Sequence, residues 1–135
     1  MHSLTFQPLP FDDSPDTLKI DRKTNATSAK VRTFSYVDKD TNQYVCVIPS
    51  LDVSGYGSTK DRAQEMLNFS VKELLTYFLD IDVVKMSKEL ETLGWHKNPL
   101  LKKEFSKAYI DGDGELKGFN ALGGNVERSS LHLAA

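Results

Sequence analysis

The fold is decided by the stretch VRTFSYV (31–37), DKDTN (38–42) and QYVCVI (43–48), which a short glycine-bearing link joins to a long amphipathic segment. Residues 31–37 are rich in β-branched and aromatic side chains, and residues 43–48 are largely apolar. Two such runs, separated by five polar turn formers, predict a β-hairpin. Because the second run is apolar on both faces, we expect it inside a sheet with a helix on one side and further structure on the other.

A helix that can cover this sheet follows directly. Ser58 or Thr59 is suited to be its N-cap, and Asp61 complements the helix dipole in the first turn. Apolar residues then recur at spacings of three and four up to Leu79, and a shorter amphipathic piece runs from Val83 to Leu93. With Leu51–Gly57 as a third strand, the sequence predicts an α+β fold. This fold is an antiparallel β-sheet (β-β-β-α core) packed on one long amphipathic helix, with a second shorter helix.

Outside residues 31–95 the pattern is weaker. Residues 1–30 hold three of the five prolines and predict an extended amino-terminal arm with a short strand at Leu18–Ile20. Residues 96–135 predict a carboxy-terminal extension with turns at its glycines and a final strand from Val126 to Leu133. A spare edge on that strand would allow a symmetric homodimer.

The composition is that of one ordinary globular domain. The chain has 135 residues, of which 39% are hydrophobic and 27% charged, and its net charge is -2. These values exclude fibrous and disordered classes, and a dedicated nucleic-acid binder is usually more basic. No apolar stretch reaches the length of a membrane span. A single cysteine and the lack of a signal-peptide pattern predict a cytoplasmic protein.

The sequence offers no local catalytic or metal-binding motif. Cys46 has no adjacent base, and the three histidines are far apart in the chain. Placing Gly114 at the sixth position of a calcium loop puts Tyr109 at the first ligand position and Asn120 at the last, so we expect a plain turn. We therefore expect a non-enzymatic protein with no catalytic residues, no cofactor and no metal. An enzyme whose residues converge from distant parts of the chain is a weaker alternative.

Residues 44–79 carry a more specific pattern. A strand ends in Ile48-Pro49-Ser50-Leu51, and Gly57-Ser58-Thr59 then opens an amphipathic helix that carries Asp61 and Ala63. This pattern resembles the HicB-like antitoxin family. Ser50 and Arg62 stand where that family usually has acidic residues, and the link is about one residue shorter than is usual there.

The resemblance implies a degenerate RNase H-like domain without catalytic carboxylates. Known members join this domain to a carboxy-terminal DNA-binding module, and residues 96–135 contain no helix-turn-helix pattern. The resemblance also implies a toxin-antitoxin role, in which the domain binds a small basic ribonuclease toxin.

Two sets of candidate binding residues follow from these alternatives. An acidic surface that contacts a basic protein partner would use loop and helix-start residues, namely Asp38, Asp40, Asp52, Asp61 and Glu65. The alternative is a stand-alone nucleic-acid-binding protein that uses the basic segment 95–107, with the candidates Trp95, Lys97, Lys102, Lys103 and Lys107.

Overall fold

The computed structural model describes residues 4–12, 14–98, 100–103 and 121–134. Its helices are α1 (Lys60–Asp80) and α2 (Val83–Thr92), and a 3₁₀ turn spans Pro49–Leu51. Its strands are β1 (Thr5–Leu9), β2 (Asp16–Asp21), β3 (Ala26–Asp38), β4 (Tyr44–Ile48), β5 (Val53–Gly57), β6 (His96–Asn98), β7 (Leu100–Lys103) and β8 (Ala121–Ala134). The predicted α+β class is confirmed, because the strands form one antiparallel sheet that packs with one long and one shorter helix.

The long strand β3 organises the sheet. One of its edges pairs with β8 from Ser28 to Asp38. Its other edge serves two neighbours in turn, because β2 pairs with residues 26–30 and β4 pairs with residues 34–37. The sheet therefore forks at residues 31–33 of β3. One branch continues through β2 to β7 and β6, and the other continues through β4 to β5.

The amino-terminal residues differ from the extended arm that the prolines suggest. Both β1 and β2 are strands of the main sheet, and β2 includes the predicted short strand at 18–20. Pro8 lies in β1, which pairs with β8 alone among the described strands. Proline is tolerated there because an outer strand has backbone groups that need no strand partner.

The predicted final strand is present as β8, but the edge expected to pair with a second copy is already paired within the chain at Ser130–Ala134. β8 pairs with β1 over Ser130–Ala134 on one side and with β3 on the other. Leu131 and Leu133 are buried in the chain's own core. The expectation that these residues pair with a second copy is therefore wrong, because β1 already occupies that position.

Helix α1 packs directly on the β4–β5 branch. Thr59 is its N-cap, and the Thr59 side chain accepts a hydrogen bond from the backbone N–H of Arg62 at 3.2 Å. The helix rests so close to β5 that a Cβ on Gly55 would lie 2.3 Å from the backbone nitrogen of Leu67. Glycine is required here because any larger residue would push the helix away from the strand. Cys46, Ile48, Leu67 and Val71 meet in the core beneath.

Arg22 fastens the β2–β3 turn to the carboxyl end of α1. One guanidinium nitrogen donates to the carbonyl oxygen of Phe78 at 2.7 Å, and the other donates to the carbonyl oxygen of Ile81. The last carbonyls of a helix have no partner within the helix and carry partial negative charge. Arg22 satisfies one of them, at Phe78, together with the carbonyl oxygen of Ile81, which follows the helix, and it complements that charge.

We expect Arg22→Ala to lower the free energy of unfolding by about 1–3 kcal/mol, because two charge-assisted hydrogen bonds are lost. Chemical denaturation measures this change. Arg22→Lys is the matched control, since it keeps the charge but not the forked geometry, and it should recover only part of the loss. Full stability in Arg22→Ala would show that water replaces the guanidinium without cost.

Candidate functional site

A buried polar cluster lies at the fork of the sheet. The Arg32 guanidinium donates from Nε to Oδ1 of Asp16 at 2.9 Å, and the backbone N–H of Arg32 donates to the same oxygen at 3.1 Å. The two side chains are only 4% and 1% exposed. Ser50 is also buried, and its carbonyl oxygen accepts a hydrogen bond from the indole N–H of Trp95 at 3.0 Å.

Burial dominates the electrostatics of this cluster. Loss of hydration raises the pKa of Asp16, and the opposing effects of Ser50 and Arg32 do not cancel that rise. Oδ2 of Asp16 and Oγ of Ser50 are both buried without a well-formed hydrogen bond to any described residue, although Ser50 is close enough to affect the pKa.

A buried group with a raised pKa is one mark of an active site. Here, however, Asp16, Arg32 and Ser50 are all enclosed by the fold, so a substrate has no access to them. Cys46 is likewise buried, and loss of hydration raises the pKa of its thiol, which disfavours the reactive thiolate. We therefore assign the cluster at the fork a structural role, which is to fill the gap between β2 and β4.

The structure divides the predicted acidic contact residues between two ends of the sheet. Tyr44 at the start of β4 pairs with Gly57 at the end of β5, so the β3–β4 turn and the start of α1 lie at the same end. Asp38, Asp40 and Asp61 belong to that end, and Glu65 lies one turn further along α1. Asp52 lies at the opposite end, between the 3₁₀ turn and β5, with a φ of 53°.

Asp38 has a structural role within this group. Its Oδ2 accepts hydrogen bonds from the backbone N–H of Thr41 at 2.9 Å and from the Thr41 hydroxyl at 2.8 Å. These bonds close the β3–β4 turn, in which Asn42 has a φ of 61°. Asp40, Asp61 and Glu65 are exposed.

Two exposed tyrosines accompany the carboxylates at this end. Tyr44 is 37% exposed and Tyr56 is 54% exposed, and they lie on adjacent strands. Because Tyr44 pairs with Gly57 and Tyr56 pairs with Val45, Tyr44 lies on the face of the sheet that α1 covers and Tyr56 lies on the opposite face. We call Asp40, Tyr44, Tyr56 and Asp61 the turn-end surface. The ion pair between Lys60 and Glu127 connects the first residue of α1 to β8. Sequence reasoning missed both tyrosines. The available signal for Tyr56 is the alternation of strand residues, which places it on the face opposite Gly55 and Gly57 and therefore away from α1.

One residue of the basic segment does not fit the nucleic-acid interface that the sequence suggests. Trp95 is 2% exposed and is held by its hydrogen bond to Ser50, so it cannot stack on a base. This residue is therefore corrected from a binding residue to a core residue. Lys97 lies in β6, and Lys102 and Lys103 lie in β7, opposite Thr17 and Asp16 of β2. Lys107 lies outside the described residues.

The described residues contain neither a group of metal-ligating side chains nor a membrane-spanning helix. Across residues 4–12, 14–98, 100–103 and 121–134, no three His, Cys, Asp or Glu residues are grouped so that they could hold a metal ion. Neither described helix has the length and apolar character needed to span a membrane. In comparisons with known proteins, no protein-family model, curated protein or solved structure matched the chain.

The structural role of Asp16 predicts that its oxygen atoms matter more than its charge. Asp16→Asn keeps an acceptor for both Arg32 donors, so we expect the free energy of unfolding to stay within about 1 kcal/mol of the wild-type value. Asp16→Ala leaves those donors buried without a partner and should cost about 3 kcal/mol. Denaturant titration of both variants measures the contrast. Equal losses in the two variants would contradict the assignment.

The raised pKa of Asp16 also predicts a pH dependence. The folded protein binds this proton more tightly than the unfolded chain, whose aspartates titrate near 3.8. The contribution of Asp16 to stability is therefore fully present below that value and is lost as the pH rises through the folded-state pKa. We expect the stability of the wild type relative to Asp16→Asn to fall as the pH rises from below 3.8 through the folded-state pKa of Asp16.

The variant is needed as a reference because other carboxylates have the opposite dependence. Hydrogen bonds with Lys30 and Ser14 lower the pKa of Asp12, and hydrogen bonds with Thr24 lower the pKa of Asp21. The contributions of Asp12 and Asp21 to stability are lost as the pH falls below the ordinary aspartate pKa of 3.8. These contributions are the same in the wild type and in Asp16→Asn. If the stability of the wild type relative to Asp16→Asn rises with pH, the pKa of Asp16 is not raised in the folded protein.

Proposed function

We propose that this chain is a cytoplasmic, non-enzymatic interaction protein of HicB-like type, which binds a small basic protein of the ribonuclease-toxin class. The order of β3, β4, β5 and α1 supports this proposal, because it matches the β-β-β-α arrangement that the resemblance implies. The residues of the resemblance also occupy consistent places. Thr59 caps α1, and the backbone nitrogen of Ala63 lies 3.0 Å from where a Cβ on Gly57 would be.

One observation points to where the partner would bind. The turn-end surface has an exposed tyrosine on each face of the sheet, and the exposed carboxylates of Asp40 and Asp61 lie at the same end, so a partner that contacts both rings must enclose this end of the sheet. Tyrosine is enriched in protein interfaces because its ring buries a large apolar area while its hydroxyl remains a hydrogen-bonding group. Carboxylates around such rings steer a basic partner and fix its orientation.

The surface is also rigid enough to bind without reordering. Asp38 and Thr41 close the turn on one side, and the N-cap of α1 closes the other. Between them, Tyr44 and Gly57 are held in register as paired residues of β4 and β5. A preorganised surface loses little conformational freedom on binding, so more of the contact energy appears as affinity.

We expect Tyr56→Lys and Asp61→Lys each to weaken binding of a basic partner by about tenfold or more, because each adds a positive charge to the contact. The full chain is purified from its native organism, the co-purifying basic protein is identified, and the affinity of that protein for each variant is measured by calorimetry. Glu91→Lys on α2 is the matched control, since it makes an equal or larger change of charge away from the turn-end surface and should leave binding unchanged.

Two outcomes would count against the proposal. If the full chain is purified without any associated basic protein, the proposed partner does not exist. Equal weakening by Glu91→Lys would show that only net charge matters and that the turn-end surface has no special role.

A further inference from the structure

The outward face of α1 carries a self-complementary set of side chains. The buried face of the helix consists of Ala63, Leu67, Val71, Leu75 and Phe78. On the opposite side, four exposed residues follow one another at spacings of four, three and four, and we call them the outer stripe: Arg62, Met66, Phe69 and Glu73. Residues at these spacings lie along one line of a helix.

Phe69 is the least expected member of the outer stripe. Its side chain is 63% exposed, and Met66, three residues earlier, is 38% exposed. An exposed aromatic beside an exposed methionine on a helix is typical of a surface that a partner covers. Among the described residues, no hydrogen bond or ion pair involves the side chain of Arg62 or Glu73, so both charges are available to a partner.

The order of the four residues identifies the partner. Met66 and Phe69 lie equally far from the midpoint of the stripe, and so do Arg62 and Glu73. If a second α1 lies antiparallel across this midpoint, Met66 meets Phe69 of the other copy and Arg62 meets Glu73 of the other copy. A two-fold axis repeats each contact, as an isologous interface requires. We propose that α1 is the homodimer interface of this protein and that the two copies pair through the outer stripe.

The neighbouring strand edge favours this helix pairing over the addition of a strand. In the described part of the chain β5 pairs only with β4, so its other edge faces outward. The sulfur of Met66 lies 3.5 Å from the backbone nitrogen of Tyr56 and covers that edge near the carboxyl end of β5. A strand added to β5 would have to displace this side chain, whereas an antiparallel helix would pack on it.

The stripe is short, so the dimer is weak and reversible. Arg62 and Glu73 are about 16 Å apart along the helix, at 1.5 Å per residue. An interface of this length is below the size of permanent dimers, and we expect a dissociation constant between about 1 µM and about 1 mM. Sedimentation of the wild-type chain over this concentration range measures it. A chain that stays monomeric throughout would overturn the proposal.

Charge reversal tests the geometry. Arg62→Glu and Glu73→Arg each place like charges together at two symmetry-related contacts, and each should raise the dissociation constant by roughly tenfold or more. Mixing the two variants should restore dimers to within a few-fold of wild type, because each copy then meets opposite charges at both contacts. Lys72→Glu, on the same helix but off the stripe, is the matched control and should leave dimerisation unchanged.

Two further measurements distinguish a loss of dimer contacts from a loss of folding. All these positions are exposed, so the circular dichroism and melting temperature of each variant should match those of the wild type. Phe69→Glu should also abolish dimers at concentrations where Lys72→Glu forms them. Failure of the mixture to recover, with each variant folded, would overturn the antiparallel pairing. Although Met66 of the outer stripe contacts the backbone of Tyr56, self-association is measured on the chain alone, so this result is independent of whether a basic partner exists.

Discussion

The fold depends on the contact between Asp16 and Arg32 at the fork of the sheet. One edge of β3 pairs with β2 over residues 26–30 and with β4 over residues 34–37. Residues 31–33 on this edge pair with neither strand. The backbone N–H of Arg32 points into this gap, and the carboxylate of Asp16 accepts its hydrogen bond in place of a strand. A buried backbone donor without a partner would cost as much as a lost hydrogen bond. The carboxylate thus lets one strand carry two branches.

The fork also ties together parts of the chain that are distant in sequence. Ser50 lies in the 3₁₀ turn that follows β4 and fills the gap at the fork. Its carbonyl oxygen accepts a hydrogen bond from the indole N–H of Trp95, which follows α2 in the chain. Arg22 performs a similar task at the carboxyl end of α1, where it binds the carbonyl oxygens of Phe78 and Ile81 from the β2–β3 turn. The β4–β5–α1 unit is therefore fixed to the rest of the sheet by polar contacts at the fork and at the carboxyl end of α1, together with apolar packing.

The elements that the sequence predicted are those with local causes. Turn-forming residues predict the β3–β4 hairpin, and an N-cap with a regular apolar spacing predicts α1. These signals depend on interactions between residues that are close in sequence. β1 and β2 were missed as parts of the sheet because proline and short length weaken their local signal, while their stability comes from pairing with β8 and β3. For the same reason, Trp95 beside four lysines suggested a binding surface, although its partner is Ser50, 45 positions away. Asp40 and Asp61 lie at one end of the sheet and Asp52 lies at the other, a difference that composition cannot show because it follows from strand pairing.

The residues of the family resemblance have structural explanations in this chain. Gly57 and Ala63 allow α1 to approach β5, Thr59 caps the helix, and Pro49 begins the 3₁₀ turn at the end of β4. Each would be needed by any protein with this arrangement of strand, turn and helix, whatever it binds. The motif therefore argues for the fold, and the choice of partner must come from residues outside it. In the described chain these are the exposed side chains of the turn-end surface and of the outer stripe, neither of which is needed to build the core.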